Sequence, residues 1–126
     1  MIDVDVILFD WGGTLSQVVG QEEAFARAAA RAAALTGGAA DRAAVDRLLG
    51  MLLAAEGEAA ADPELREADM TVTFFRWAET LGRPVPPGWV DAALDALSRT
   101  WIGSLKPLPG AVDAVRTLRD RGYRMG

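Results

Sequence analysis

The sequence predicts an α/β protein, and three observations carry that prediction. Val4 to Phe9 is a β-branched and aromatic run that stops at Asp10 and the Gly12-Gly13 pair. Between residues 21 and 104, apolar residues recur four times at helical spacing. A fifth helical stretch follows, and Tyr123 to Gly126 then returns to β character.

Each element has a local cause. Val4–Phe9 reads as a buried strand ending in a sharp turn. Phe25, Ala28, Ala32 and Leu35 mark a first helix over about 21–36, stopped by Gly37-Gly38. Asp41 is a natural N-cap for a second helix, whose stripe of Val45, Leu48, Leu49, Leu52 and Leu53 fades near Gly57. Asp62 followed by Pro63 supplies the N-cap and first-turn proline of a third, with Met70, Phe74, Trp77 and Leu81 on one face and Gly82 at its end.

Three prolines between Arg83 and Gly88 make a connector, after which Val90, Ala93, Leu94, Leu97 and Trp101 set out a fourth helix closed by Gly103. Lys106 to Gly110 reads as a second connector. Val112, Val115 and Leu118 then give a fifth helix over about 110–121, with Gly122 as its C′ residue. Two strands cannot cover the faces of their own sheet. The expectation is therefore the front portion of a larger α/β protein, self-associating through its incomplete sheet.

Composition narrows the chemistry. A chain of 126 residues, 51% hydrophobic and 25% charged, packs as a globular protein and has room for one large core. Its net charge of −5 disfavours nucleic acid and anionic membrane surfaces as partners. With no cysteine and no histidine, Ser–His and Cys–His mechanisms and thiolate metal sites are excluded. What remains as nucleophile is chiefly carboxylate, which also suits a hard cation such as magnesium. Asp3 and Asp5 stand where a secretory signal would be basic, and no uncharged apolar run is long enough to span a bilayer, so a cytoplasmic location is expected.

The segment Asp10-Trp11-Gly12-Gly13-Thr14-Leu15 places a carboxylate at the C-terminal lip of a hydrophobic strand, the edge at which parallel sheets bind ligands. The glycines let backbone groups approach a phosphate or metal, and Thr14 offers a hydroxyl. Spacing alone fits equally a strand stop followed by turn glycines.

Ile7-Leu8-Phe9-Asp10-Trp11-Gly12-Gly13-Thr14-Leu15 resembles the first motif of the haloacid dehalogenase (HAD) superfamily, a hydrophobic strand, Asp-x-Asp-Gly-Thr and an apolar residue, at every position but one. Leu108-Pro109-Gly110, the helix to Leu118 and Gly122-Tyr123 resemble that family's return from a helical cap to its core. The resemblance implies a HAD-like Rossmannoid core over 1–20 and 105–126, ending before the second motif, with an α-helical C1-type cap over 21–104. It also implies an aspartyl-phosphate mechanism on a small phosphorylated metabolite. Asp10 would be nucleophile and Mg2+ ligand, the Gly12 carbonyl a second metal ligand, the Trp11 amide a contact to the phosphoryl group, and Thr14 the residue orienting the nucleophile.

The departure is Gly12, where the family's phosphatases carry the aspartate that protonates the leaving group and activates water. The alternative implied is a non-catalytic HAD-fold binding or regulatory protein. The family's phosphonate hydrolases carry a small residue there but use a cap lysine, and this cap has none; Lys106 lies in the connector and reads as a solvated charge. The family's serine or threonine, lysine and later acidic ligands would all follow Tyr123, so the 126 residues alone are expected to be inactive. Trp77, Trp89 and Trp101 read as cap core, and Arg27 with Arg31 as an ordinary solvated helix face beside Glu23.

Overall fold

The computed structural model describes residues 4–37 and 41–126; Asp3 and Gly38 of the features above lie outside them. The described residues form a mixed α/β protein with five helices and two small two-stranded sheets. The chain divides into two compact units, one made of Met1–Val19 with Ser104–Gly126, the other of Gly20–Gly103.

The helical unit holds α1 (Gln21–Ala34), α2 (Arg42–Ala60), α3 (Met70–Glu79) and most of α4 (Trp89–Ser104). The buried side of α1 is Phe25 and five alanines, a low-relief face against which α2 packs. The large side chains of the core are Trp77, Phe25, Phe74, Leu48 and Leu52, each fully buried and worth about 1.5–3 kcal/mol of apolar burial. Trp77 stacks on Trp89 with centroids 5.4 Å apart, and Phe74 meets Trp89 edge-on at 5.8 Å. Both buried indoles find acceptors: Trp77 Nε1 donates to the Ala44 carbonyl and Trp89 Nε1 to the Ala32 carbonyl, each at 2.8 Å. Ala32 is in the last turn of α1, where carbonyls lack helical partners, so Trp89 closes that helix as well as filling the core.

The third helix starts later than its sequence signals predict. Its N-cap is Asp69, which accepts the Val72 N–H at 2.9 Å. Asp62 closes a turn instead, accepting the Glu64 N–H at 2.9 Å and Arg66 Nε at 2.7 Å. Leu65 there has φ 55°, which ends any helical continuation from Pro63. Asp41 does cap α2, accepting the Ala44 N–H at 2.7 Å, and α2 runs through Gly57 to Ala60. Gly103 lies inside α4, not beyond its end.

The other unit contains β1 (Val6–Ile7), β2 (Ser16–Val18), β3 (Leu105–Pro107), α5 (Ala111–Asp120) and β4 (Arg124–Met125). β1 pairs with β4 in parallel, Val6 opposite Arg124 and Ile7 opposite Met125. β2 and β3 pair antiparallel, Ser16 opposite Pro107 and Val18 opposite Leu105, so part of the proline-bearing connector is a strand.

The expected buried strand is not buried. Val4, Val6 and Leu8 are 43%, 45% and 78% exposed, because a two-stranded sheet shields little of its own surface. Helix α5 has its apolar residues on one face, yet none of its residues is buried.

Candidate functional site

The loop leaving β1 is built by the backbone. Phe9 N–H donates to the Gly126 carbonyl at 3.0 Å, which keeps the chain extended up to Asp10. The Trp11 carbonyl then accepts the N–H groups of Leu15 and Ser16, both at 3.1 Å, and the Ser16 hydroxyl at 3.2 Å. Gly13 N–H returns a bond to the Ser16 carbonyl at 2.8 Å, and Leu108 N–H bonds the Leu15 carbonyl at 2.9 Å. Gly13 takes φ 76°, a conformation that a side chain would strain.

This arrangement brings the four sequence-predicted site residues onto one short turn at the end of β1. Asp10 is exposed, and its carboxylate has no hydrogen-bond or ionic partner among the described residues. The N–H groups of Trp11, Gly12 and Thr14 are likewise unused among them, as is the Thr14 hydroxyl. The turn therefore presents a carboxylate together with donors suited to anionic oxygen. Gly12 lies outside the left-handed region, and a Cβ built on it meets no atom within 4 Å. Its missing side chain is thus not demanded by the fold.

For a metal, the turn offers oxygen donors of the hard type, the Asp10 carboxylate and the Gly12 carbonyl. Among the described residues no group of three or more acidic side chains converges. Such a pair fits magnesium only as a weak site, with waters and a substrate phosphate completing the shell.

Two features escaped the sequence reading. One is Ser16, whose buried side chain locks the turn; no spacing rule marks it, because the bond depends on how the loop closes. Beside the turn lies an open groove of about 390 Å³, with Trp11, Leu15, Val112 and Val115 on its apolar lining. Lys106 and Arg116 also line it, both exposed and without an ionic partner among the described residues. In the helical unit, a hollow of about 490 Å³ along α2 and the 62–69 segment holds none of the predicted site residues.

No protein-family model matches the chain, and a search of curated proteins finds no match.

Proposed function

We propose that the chain carries the nucleophile turn of a HAD-like hydrolase, a cytoplasmic phosphatase acting on a small phosphorylated metabolite, with residues 21–104 as its helical cap. The observation that supports this most is the Asp10 turn: an exposed, unpaired carboxylate followed by the free N–H groups of Trp11, Gly12 and Thr14.

In this reading the Asp10 carboxylate attacks phosphorus, the ester P–O bond breaks, and the leaving oxygen takes a proton from solvent because Gly12 has none to give. The free N–H groups and the Thr14 hydroxyl neutralise the phosphoryl oxygens as charge develops. Magnesium, held by the Asp10 carboxylate and the Gly12 carbonyl, would add Lewis-acid stabilisation of the same oxygens. Water then hydrolyses the acyl phosphate without a base at position 12, so the phosphorylated Asp10 is long-lived.

The test is mass spectrometry of the chain after incubation with an aryl phosphate and millimolar magnesium. The expected result is one phosphoryl group on the peptide containing Asp10, absent in Asp10→Asn, with little phosphate release, because these residues match only the first of the family's motifs. Phosphate binding without transfer would favour the non-catalytic alternative, to which the absent side chain at Gly12 already points.

A further inference from the structure

Whatever leaves phosphorus when Asp10 attacks departs without help from position 12. Gly12 has no side chain, its backbone lies outside the left-handed region that calls for glycine, and a Cβ built there meets no atom within 4 Å. Room for an acid–base group is present, and the sequence puts none in it. The neighbours do not replace it. The Gly13 N–H is committed to the Ser16 carbonyl at 2.8 Å and the Ser16 hydroxyl to the Trp11 carbonyl at 3.2 Å. The Thr14 hydroxyl and the free N–H groups donate hydrogen bonds to anionic oxygen but do not titrate near neutrality. Lys106 and Arg116 line the groove that Trp11 also borders. A guanidinium keeps its proton in proteins, which leaves Lys106 as the side chain of that groove to be tested as a donor.

The breaking bond leaves its electron pair on the departing oxygen, and the basicity of that oxygen sets its need for a proton. The conjugate acid ionises near about 4 for a carboxylate and about 10 for a phenol. For a phosphate the value is about 6, and for water, which an alcohol resembles, about 16. A positioned acid is worth roughly 10²–10⁴ in rate, and its absence falls on an alkoxide and spares a carboxylate or phosphate, which leaves as the anion it remains. The product gives a second reason. Phosphorylated Asp10 is itself a mixed anhydride, and with no base at position 12 its hydrolysis does not draw the transfer forward. An alkyl ester would be exchanged for a more reactive compound, whereas an anhydride is exchanged for one of its own kind.

We propose that the Asp10 turn takes its phosphoryl group from phosphoric anhydrides, in which phosphorus is joined through oxygen to a carboxylate or to a second phosphate. The Asp10 carboxylate forms the new bond to phosphorus, and the bond from phosphorus to the bridging oxygen breaks. The electron pair stays on the departing carboxylate or phosphate, and no proton moves. This narrows the substrate of the reading given above and rests on Asp10 as its nucleophile.

The test follows phosphoryl label on the Asp10 peptide by mass spectrometry, in the whole 126-residue chain with millimolar magnesium. Acetyl phosphate, adenosine triphosphate, phenyl phosphate and ethyl phosphate are compared at equal concentration, with Asp10→Asn as the blank. Labelling should be fastest from an anhydride, slower from phenyl phosphate, and at least about 100-fold slower from ethyl phosphate. The two anhydride arms separate carboxylate from phosphate as the leaving group. Gly12→Asp then removes the donors' intrinsic reactivities from the comparison: the ratio of ethyl to anhydride rates should rise by roughly 10²–10⁴. Gly12→Asn, polar but not acidic, should leave that ratio where it is.

Ethyl phosphate labelling Asp10 as fast as the anhydrides would overturn the proposal while leaving Asp10 as the nucleophile. If that ethyl rate is then lost in Lys106→Gln, Lys106 is the proton donor. A ratio unchanged in Gly12→Asp would likewise overturn the dependence on position 12. No label from any of the four donors would overturn the nucleophile reading itself, and this proposal with it.

Discussion

The Ser16 hydroxyl donates to the Trp11 carbonyl at 3.2 Å, and the same carbonyl accepts the Ser16 N–H at 3.1 Å. One residue thus closes the Asp10 turn twice, once with its backbone and once with a side chain that is 3% exposed. Ser16→Ala keeps the backbone bond and removes the other, at about 0.5–1.5 kcal/mol. Local opening should therefore rise, and amide exchange at Gly13 and Leu15 should accelerate by about 2- to 13-fold. The exchange of amides in α2 should not change, and an equal acceleration there would assign Ser16 a global role instead.

Gly12→Asp should be tolerated by the fold, because the new Cβ meets nothing and the backbone is not left-handed. Thermal stability should move by no more than about 0.5 kcal/mol, as for an ordinary surface substitution. In a form of the protein that turns over phosphate esters, the added carboxylate supplies an acid–base group worth roughly 10²–10⁴ in rate. The gain in kcat/KM should be larger for an alkyl phosphate than for a matched aryl phosphate, whose leaving group needs no proton. Equal gains, or none, would mean that another group provides the proton.

Leu65 holds φ 55° while 85% exposed, so its strain is offset by no burial of its own side chain. Leu65→Gly should relieve the clash of Cβ with the following carbonyl, about 1–2 kcal/mol, and lose part of that to unfolded-state entropy. A net stabilisation of about 0.5–1 kcal/mol is expected, read as a higher urea midpoint at unchanged slope. Leu65→Ala keeps the Cβ and should leave the midpoint nearly where it is.

The Arg66 side chain, and next the Glu64 N–H, hold the Asp62 carboxyl below the usual carboxylate range. A depressed folded-state value stabilises the charged form, so the 62–66 turn has its full contribution above the unfolded value of about 3.9 and loses it as pH falls through the lower folded value. Carboxyl-carbon NMR should show Asp62 titrating below the aspartate of an unstructured peptide, whose value is about 3.9. In Arg66→Ala most of that difference should vanish. An unchanged titration would show that the Glu64 N–H alone is responsible.

The sequence by itself determined what rests on short-range chemistry. The apolar repeat of α2 and its Asp41 cap, the core tryptophans of α3 and α4, and the amphipathic α5 with Gly122 beyond it follow from side-chain period and from hydrogen bonds within a few residues. So does the Asp10 turn as a place, since Gly13 must adopt the left-handed conformation seen there. Tertiary structure decided whatever depends on residues distant in the chain or on competition between local options. Asp62 and Asp69 are both competent N-caps, and the packed face from Met70 to Trp77, with Leu65 left-handed before it, selects the second. β2 pairs with β3 across almost ninety residues, a contact that no local pattern encodes. The Ser16 bond that closes the turn forms only after that loop is folded. Exposure of β1 is of the same kind: apolar residues declare that a strand is suited to burial, but its neighbours alone supply it.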